Sequence, residues 1–166
     1  MSSATIRPVR RSDVPAVVSL VHELATYERA PESCHLTEEQ LTAALFGPAP
    51  ALFGHVAVDD SDTPYGMALW FLNFSTWEGG HGIYLEDLYV SPGHRQTGAG
   101  EALIAELARI CVERGYHRLE WVMIEWNPAA SFFARLGAAP SRNWLPYRLT
   151  GSALGRLAER ASAARR

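Results

Sequence analysis

The segment Val90-Ser-Pro-Gly-His-Arg95-Gln-Thr-Gly98-Ala-Gly100 follows an apolar run, Ile83 to Val90, and precedes a helical pattern, Glu101 to Arg114. A strand must therefore turn straight into a helix through a glycine-bearing Arg-x-x-Gly-x-Gly corner. That corner fixes a strand-to-helix crossover and what can sit in it. The first turn of a helix has unpaired N–H groups and the positive end of the helix dipole. Glycines there let a diphosphate approach the backbone. The segment points to a phosphate-bearing cofactor. The Lys-Ser/Thr ending of a Walker loop is missing, as are the third glycine and the βαβ repeat of a dinucleotide fingerprint.

The flanking chain supplies the rest of the architecture. Ile6 to Val9 reads as a short strand. Ser12 then caps a helix with Val14, Val17, Val18, Val21 and Leu24 at helical spacing. A loop with Pro31 follows, and Thr37-Glu-Glu-Gln40 is a capping box that opens a short helix. Gly47-Pro-Ala-Pro50 breaks it. Ala51 to Val58, Gly66 to Phe74 and Ile83 to Val90 read as an antiparallel meander joined by the polar turn Asp59 to Pro64 and the loop Ser75 to Gly80. The helix after the corner carries Ala102, Leu103, Leu107 and Ile110 and should stop at Gly115. Leu119 to Ile124 reads as a strand. Asn127 and Pro128 fit the cap and first position of a helix ending at Gly137. Tyr147 to Leu149 reads as a last strand and Ser152 to Arg160 as a last helix, with Arg165 and Arg166 fraying. The sum is one α+β domain over residues 1–166, a mixed sheet with helices on its faces.

Composition narrows the function. A net charge of −3 gives no electrostatic case for nucleic acid. All fifteen basic residues are arginine, so no lysine can serve as base, nucleophile or Schiff-base partner. Cys34 and Cys111 lack metal-ligand spacing, as do His22, His35, His55, His81, His94 and His117, so no metal is expected. Free thiols fit a reducing compartment. With no apolar run of about 18 residues and no signal-peptide core, the expectation is a cytoplasmic protein without membrane contact.

A second element accompanies the corner: Glu125-Trp126-Asn127-Pro128-Ala129-Ala130-Ser131-Phe132-Phe133-Ala134-Arg135-Leu136-Gly137. Together they resemble the GNAT N-acetyltransferase family. Further matches resemble its diamine branch, the spermidine/spermine and thialysine acetyltransferases. These are Ile6-Arg7-Pro8, Glu23-Leu24-Ala25-x-Tyr27-Glu28, Leu36-Thr37-Glu38 and Tyr84-Leu85-Glu86-Asp87. The resemblance implies the GNAT fold, with two splayed strands that hold acetyl-CoA between them. It implies that Leu88, Tyr89 and Val90 offer backbone groups to the pantetheine amides. Gln96, Thr97, Gly98, Ala99, Gly100 and Glu101 would wrap the diphosphate, with Arg95 adding positive charge. Asn127, Ala130 and Phe133 would face the cofactor from the other side. Glu86 would be the catalytic carboxylate, acting through water, and Tyr27, Glu28, Trp77 and Asp87 would line the acceptor side. A homodimer is also implied.

The chemistry needs these types. An alkylamine has a pKa near ~10 and arrives as a cation, yet attacks only when neutral. A carboxylate attracts the cation, and it, or a water it holds, takes the proton. A strand N–H steadies the oxyanion. Two departures stand out. Phe133 occupies the place where the family usually has a tyrosine that protonates the leaving thiolate. Water or the amine's own proton, another hydroxyl such as Tyr147 or Tyr89, or loss of catalysis are the readings left. Around Ser141 to Tyr147 this chain has Arg142 and aromatics where relatives of the mammalian polyamine enzymes are acidic, which argues against spermine. The expected function is acetyl transfer from acetyl-CoA to a small primary amine (diamine, polyamine or thialysine-like amino acid) in a ternary complex. A CoA-binding module without turnover and a protein N-terminal acetyltransferase are the alternatives.

Overall fold

A computed structural model describes residues 4–163, with side chains to residue 161. Arg165 and Arg166 lie outside the described residues. The chain divides into two compact units, residues 1–127 and 128–166.

Among the described residues the first unit holds five strands and three α-helices. In chain order they are β1 (Thr5–Pro8), α1 (Val14–Tyr27), α2 (Glu38–Phe46), β2 (Phe53–Val58), β3 (Pro64–Ser75), β4 (Gly80–Val90), α3 (Ala99–Arg114) and β5 (Leu119–Glu120). The strands lie side by side in that order. β1 to β4 are antiparallel neighbours, the expected meander among them, and β5 runs parallel to β4. The sheet is mixed, as expected.

Its two faces carry different cores. Val56, Val58, Met67, Leu69 and Tyr89 pack with Val14, Val17 and Leu20 of α1 and Leu41 and Leu45 of α2. The opposite face meets α3. Trp70 Nε1 donates to His55 Nδ1 at 3.2 Å, and His55 Nε2 stands 3.8 Å from Glu106 of α3. Burial pushes the His55 pKa down against the attraction of Glu106 inside the sheet–helix layer.

Local chemistry sets most boundaries. Thr37 and Gln40 form the reciprocal capping box that opens α2. Gly115, at φ 67°, ends α3 in the left-handed conformation. Ser12 does not cap α1: residues 11–13 form a 3₁₀ turn, and Asp13 accepts the Arg10 N–H at 2.7 Å. The strand expected over 119–124 is limited to Leu119 and Glu120. Its last pair is Tyr84 with Glu120, just before a bulge in β4 that bends the strand. The two strands part there, which is the splayed pair.

The second unit holds α4 (Ala130–Arg135) and α5 (Gly151–Ala163). The cap position of α4 falls later than the expected Asn127, at Ala129. The Asn127 N–H closes a turn on Ile124. Gly137, at φ 87°, follows its end. Tyr147 to Leu149 form no strand.

Candidate active site

The glycine corner has a left-handed backbone at two positions, Gln96 (φ 66°) and Gly98 (φ 85°), the arrangement that turns consecutive backbone N–H groups into an anion-binding concavity. Gly98 is the cap residue of α3, and its carbonyl accepts the Ala102 N–H at 2.9 Å. The N–H groups of the first helical turn, from Ala99 to Glu101, have no intrahelical partner. Thr97 Oγ1 donates to the His94 carbonyl at 2.7 Å and braces the corner. Residues 92–98 are exposed. Among the described residues, no heavy atom outside the local backbone lies within 4 Å of where a Cβ on Gly98 would sit, so the backbone there is open.

The carboxylates owe their placement to the bulge. Leu69 pairs with Asp87 and Trp70 with Leu85, so Glu86 is an extra residue on β4. The side-chain alternation of β4 therefore changes phase at Glu86. Leu85, opposite Trp70, lies on the α3 face. Asp87, opposite Leu69, lies on the α1 face with Tyr89. Glu86 itself is exposed. Asp87 is pushed up to about 6, by burial first and then by the charges of Glu86 and Glu28. Burial also raises Glu28, the residue that ends α1. Three carboxylates thus converge where α1 meets the second half of β4.

Beside them is a pocket of about 350 Å³ lined by Glu23, Thr26, Tyr27, Tyr89, Pro92 and Arg95. Glu23 and Tyr27 share a helix face at i, i+4 spacing. The Arg95 guanidinium lies 4.9 Å from the Tyr27 ring centre and 5.5 Å from that of Tyr89. Its Nε donates to the Val90 carbonyl at 3.1 Å. Arg95 therefore connects the end of β4 to the aromatic wall of the pocket. Burial and the charge of Glu23 raise the Tyr89 phenol, with Arg95 opposing them.

Of the residues expected at the site, Tyr27, Glu28, Glu86, Asp87, Leu88, Tyr89, Val90 and the corner from Arg95 to Glu101 gather around the C-terminal half of β4. The β4 edge beyond Tyr84 has no β5 partner, as open backbone toward a ligand requires. Trp126 and Asn127 close the first unit, with Trp126 6.1 Å from Tyr27 by ring centres. Ala130 and Phe133 lie on α4 of the second unit, where Phe133 packs on Phe132 at 5.1 Å. Trp77 is not brought to this place. It sits 86% exposed in the β3–β4 turn, on the order of 20 Å along β4 from Asp87 at strand rise. Glu23, Thr26 and Arg29 were missed. The i, i+4 pairing of Glu23 with Tyr27 was available in the sequence as a signal; the guanidinium of Arg29 lies 4.5 Å over Trp126, a contact with no local signature.

A family model described as the acetyltransferase (GNAT) family matches residues 17–138. The chain is 32% identical to a thialysine N-epsilon-acetyltransferase of Mus musculus, over 96% of this chain and 100% of that protein. It is 27% identical to an L-ornithine N5-acetyltransferase of Arabidopsis thaliana, over 90% and 85%. Among solved structures, an integron cassette protein from the mobile metagenome of V. cholerae superposes with a TM-score of 0.78 at 27% identity, over 96% of this chain and 99% of that one.

Proposed function

The chain belongs to the GNAT family of acetyltransferases, and from that premise we propose that it moves an acetyl group from acetyl-CoA to the primary amine of a small diamine, polyamine or thialysine-like amino acid. The observation that carries this reading is the joining of two chemistries on one strand. The C-terminal half of β4 bears the Asp87 carboxylate on its α1 face and feeds the anion-binding corner at its end. The family match spans residues of both units, and we take the two units as one functional domain.

Acetyl-CoA, when bound, supplies the activated thioester. Residues 96–101 hold its diphosphate through backbone N–H groups, and the unpaired β4 edge receives its amide arm. Glu28, Glu86 and Asp87 draw the cationic amine out of water. Asp87 takes the proton that the amine must lose, because a carboxylate near 6 accepts a proton at neutral pH better than one near 4. Glu86, at the solvent end of the cluster, holds the water through which that proton leaves. A β4 N–H would supply a donor for the oxyanion that develops on the thioester. Direct transfer in a ternary complex suits a chain with no lysine and no activated thiol in the cluster. We place the reaction in a homodimer, following the diamine-branch resemblance.

Thiol release from acetyl-CoA with a panel of small amines tests the reading. Amine-dependent release supports it. Tight acetyl-CoA binding with no release from any amine supports the second reading, a CoA-binding module without turnover, which Phe133 in place of a hydroxyl donor favours.

A further inference from the structure

The acceptor side is not purely acidic. α1 ends with the Arg29 N–H donating to the Thr26 carbonyl and the Ala30 N–H to the Ala25 carbonyl, both at 3.0 Å. This closure places Arg29 at φ 63°, a left-handed position at a helix end where glycine is the usual resident. A long β-substituted side chain held there is a local cost that glycine would remove. The side chain is nevertheless fixed. Its guanidinium carbon lies 4.5 Å over the Trp126 ring, and Tyr27 abuts the same indole. A guanidinium lying on an aromatic face keeps its N–H edge free to donate in its own plane. Among the described residues no carboxylate forms an ion pair with it, whereas Arg7, Arg10, Arg109 and Arg118 are all paired. It is also the neighbour in sequence of Glu28, whose charge acts on Asp87.

From this juxtaposition of an unpaired, ring-mounted guanidinium with the Glu28–Asp87 carboxylates, we infer that Arg29 receives a carboxylate on the acceptor. The inference rests on the acetyl-transfer reading and sharpens it. The acceptor is a zwitterionic amino acid with a second, distal amine. The distal amine goes to the carboxylates and the α-carboxylate to Arg29 as a two-point anchor. A polyamine leaves Arg29 without a partner and brings a further cation toward it.

Matched acceptors that differ only by the carboxylate decide the matter: ornithine against putrescine, lysine against cadaverine, and thialysine against its decarboxylated thioether diamine. The wild-type protein is expected to prefer the carboxylated member of at least one pair in kcat/KM. Arg29→Gln should shrink that preference about 10–100-fold, through KM of the carboxylated acceptor, the scale of a lost charged hydrogen-bond pair. Arg29→Lys should restore part of it. Arg29→Gly, which relaxes the backbone at φ 63°, should lose the preference while keeping or raising Tm. Equal kcat/KM for both members of every pair overturns the anchor, as does an Arg29→Gln effect of the same size on both. Release of thiol with none of these amines overturns the acetyl-transfer reading itself, and the anchor with it.

Discussion

Asp87 is the residue whose environment departs furthest from its sequence context. As one of two adjacent acids it looks interchangeable with Glu86, yet the bulge sends one to solvent and the other under α1. Its raised pKa has two consequences of opposite use. For stability, the folded carboxyl binds a proton near pH 6 that the unfolded chain binds only near ~4. Native stability therefore gains as pH falls through 6 and loses that gain as pH rises. For turnover the ionised form is needed, so amine kcat/KM should climb with pH through about 6. Asp87→Asn should abolish that limb and lower kcat/KM by about 10²-fold or more. Glu86→Gln should cost less and leave acetyl-CoA affinity nearly unchanged. Unaltered turnover in both variants would remove the carboxylates from the chemistry. Phe133→Tyr should raise turnover if only a proton donor to the thiolate is lacking, read as kcat with a saturating amine.

Elements were legible where their signals are local. The Thr37–Gln40 box, the Gly115 stop and the corner at Gly98 each depend on a few consecutive residues, and each forms as those residues dictate. The β4 bulge depends on a mismatch between Trp70 and Glu86, sixteen positions apart in chain, which no periodicity within either strand displays. The overlong strand at 119–124 has the same origin: apolar residues persist past Glu120, but the register with β4 ends at the Tyr84–Glu120 pair, just before the bulge. Trp77 was assigned from the resemblance, while its place in a hairpin turn follows from register. At the corner, Gly98→Val should reduce acetyl-CoA affinity strongly with a modest loss of Tm, because φ 85° strains a β-branched residue. Calorimetric titration of acetyl-CoA checks it, and unchanged affinity would show that the corner does not bind the diphosphate.

The first unit is held across its sheet edge by charge as well as by its core. Arg7 on β1 meets Asp13 at 2.6 Å and Asp62 of the β2–β3 turn at 2.7 Å, and Arg10 meets Asp62 at 2.7 Å. Only the Arg7–Asp13 contact is buried, with side chains 11% and 6% exposed. The Arg7 hydrogen bond holds the Asp13 carboxyl below its ordinary value against the cost of burial. Its contribution is complete above the unfolded carboxylate pKa near ~4 and fades as pH falls through the lower folded value. Asp13→Asn should cost about 3 kcal/mol at pH 7 and less at pH 3, below the unfolded value near ~4, by denaturant titration at both. An equal loss at both pH values would assign the effect to packing. The bulge has one more consequence for the molecule as a whole. Because Glu86 is a surplus position and not a special side chain, point substitution cannot move the half-buried Asp87 to the opposite layer. Only a change in chain length within β4 can put the strand back in phase, so the acid's address is protected from ordinary amino-acid replacement while its identity remains free to vary.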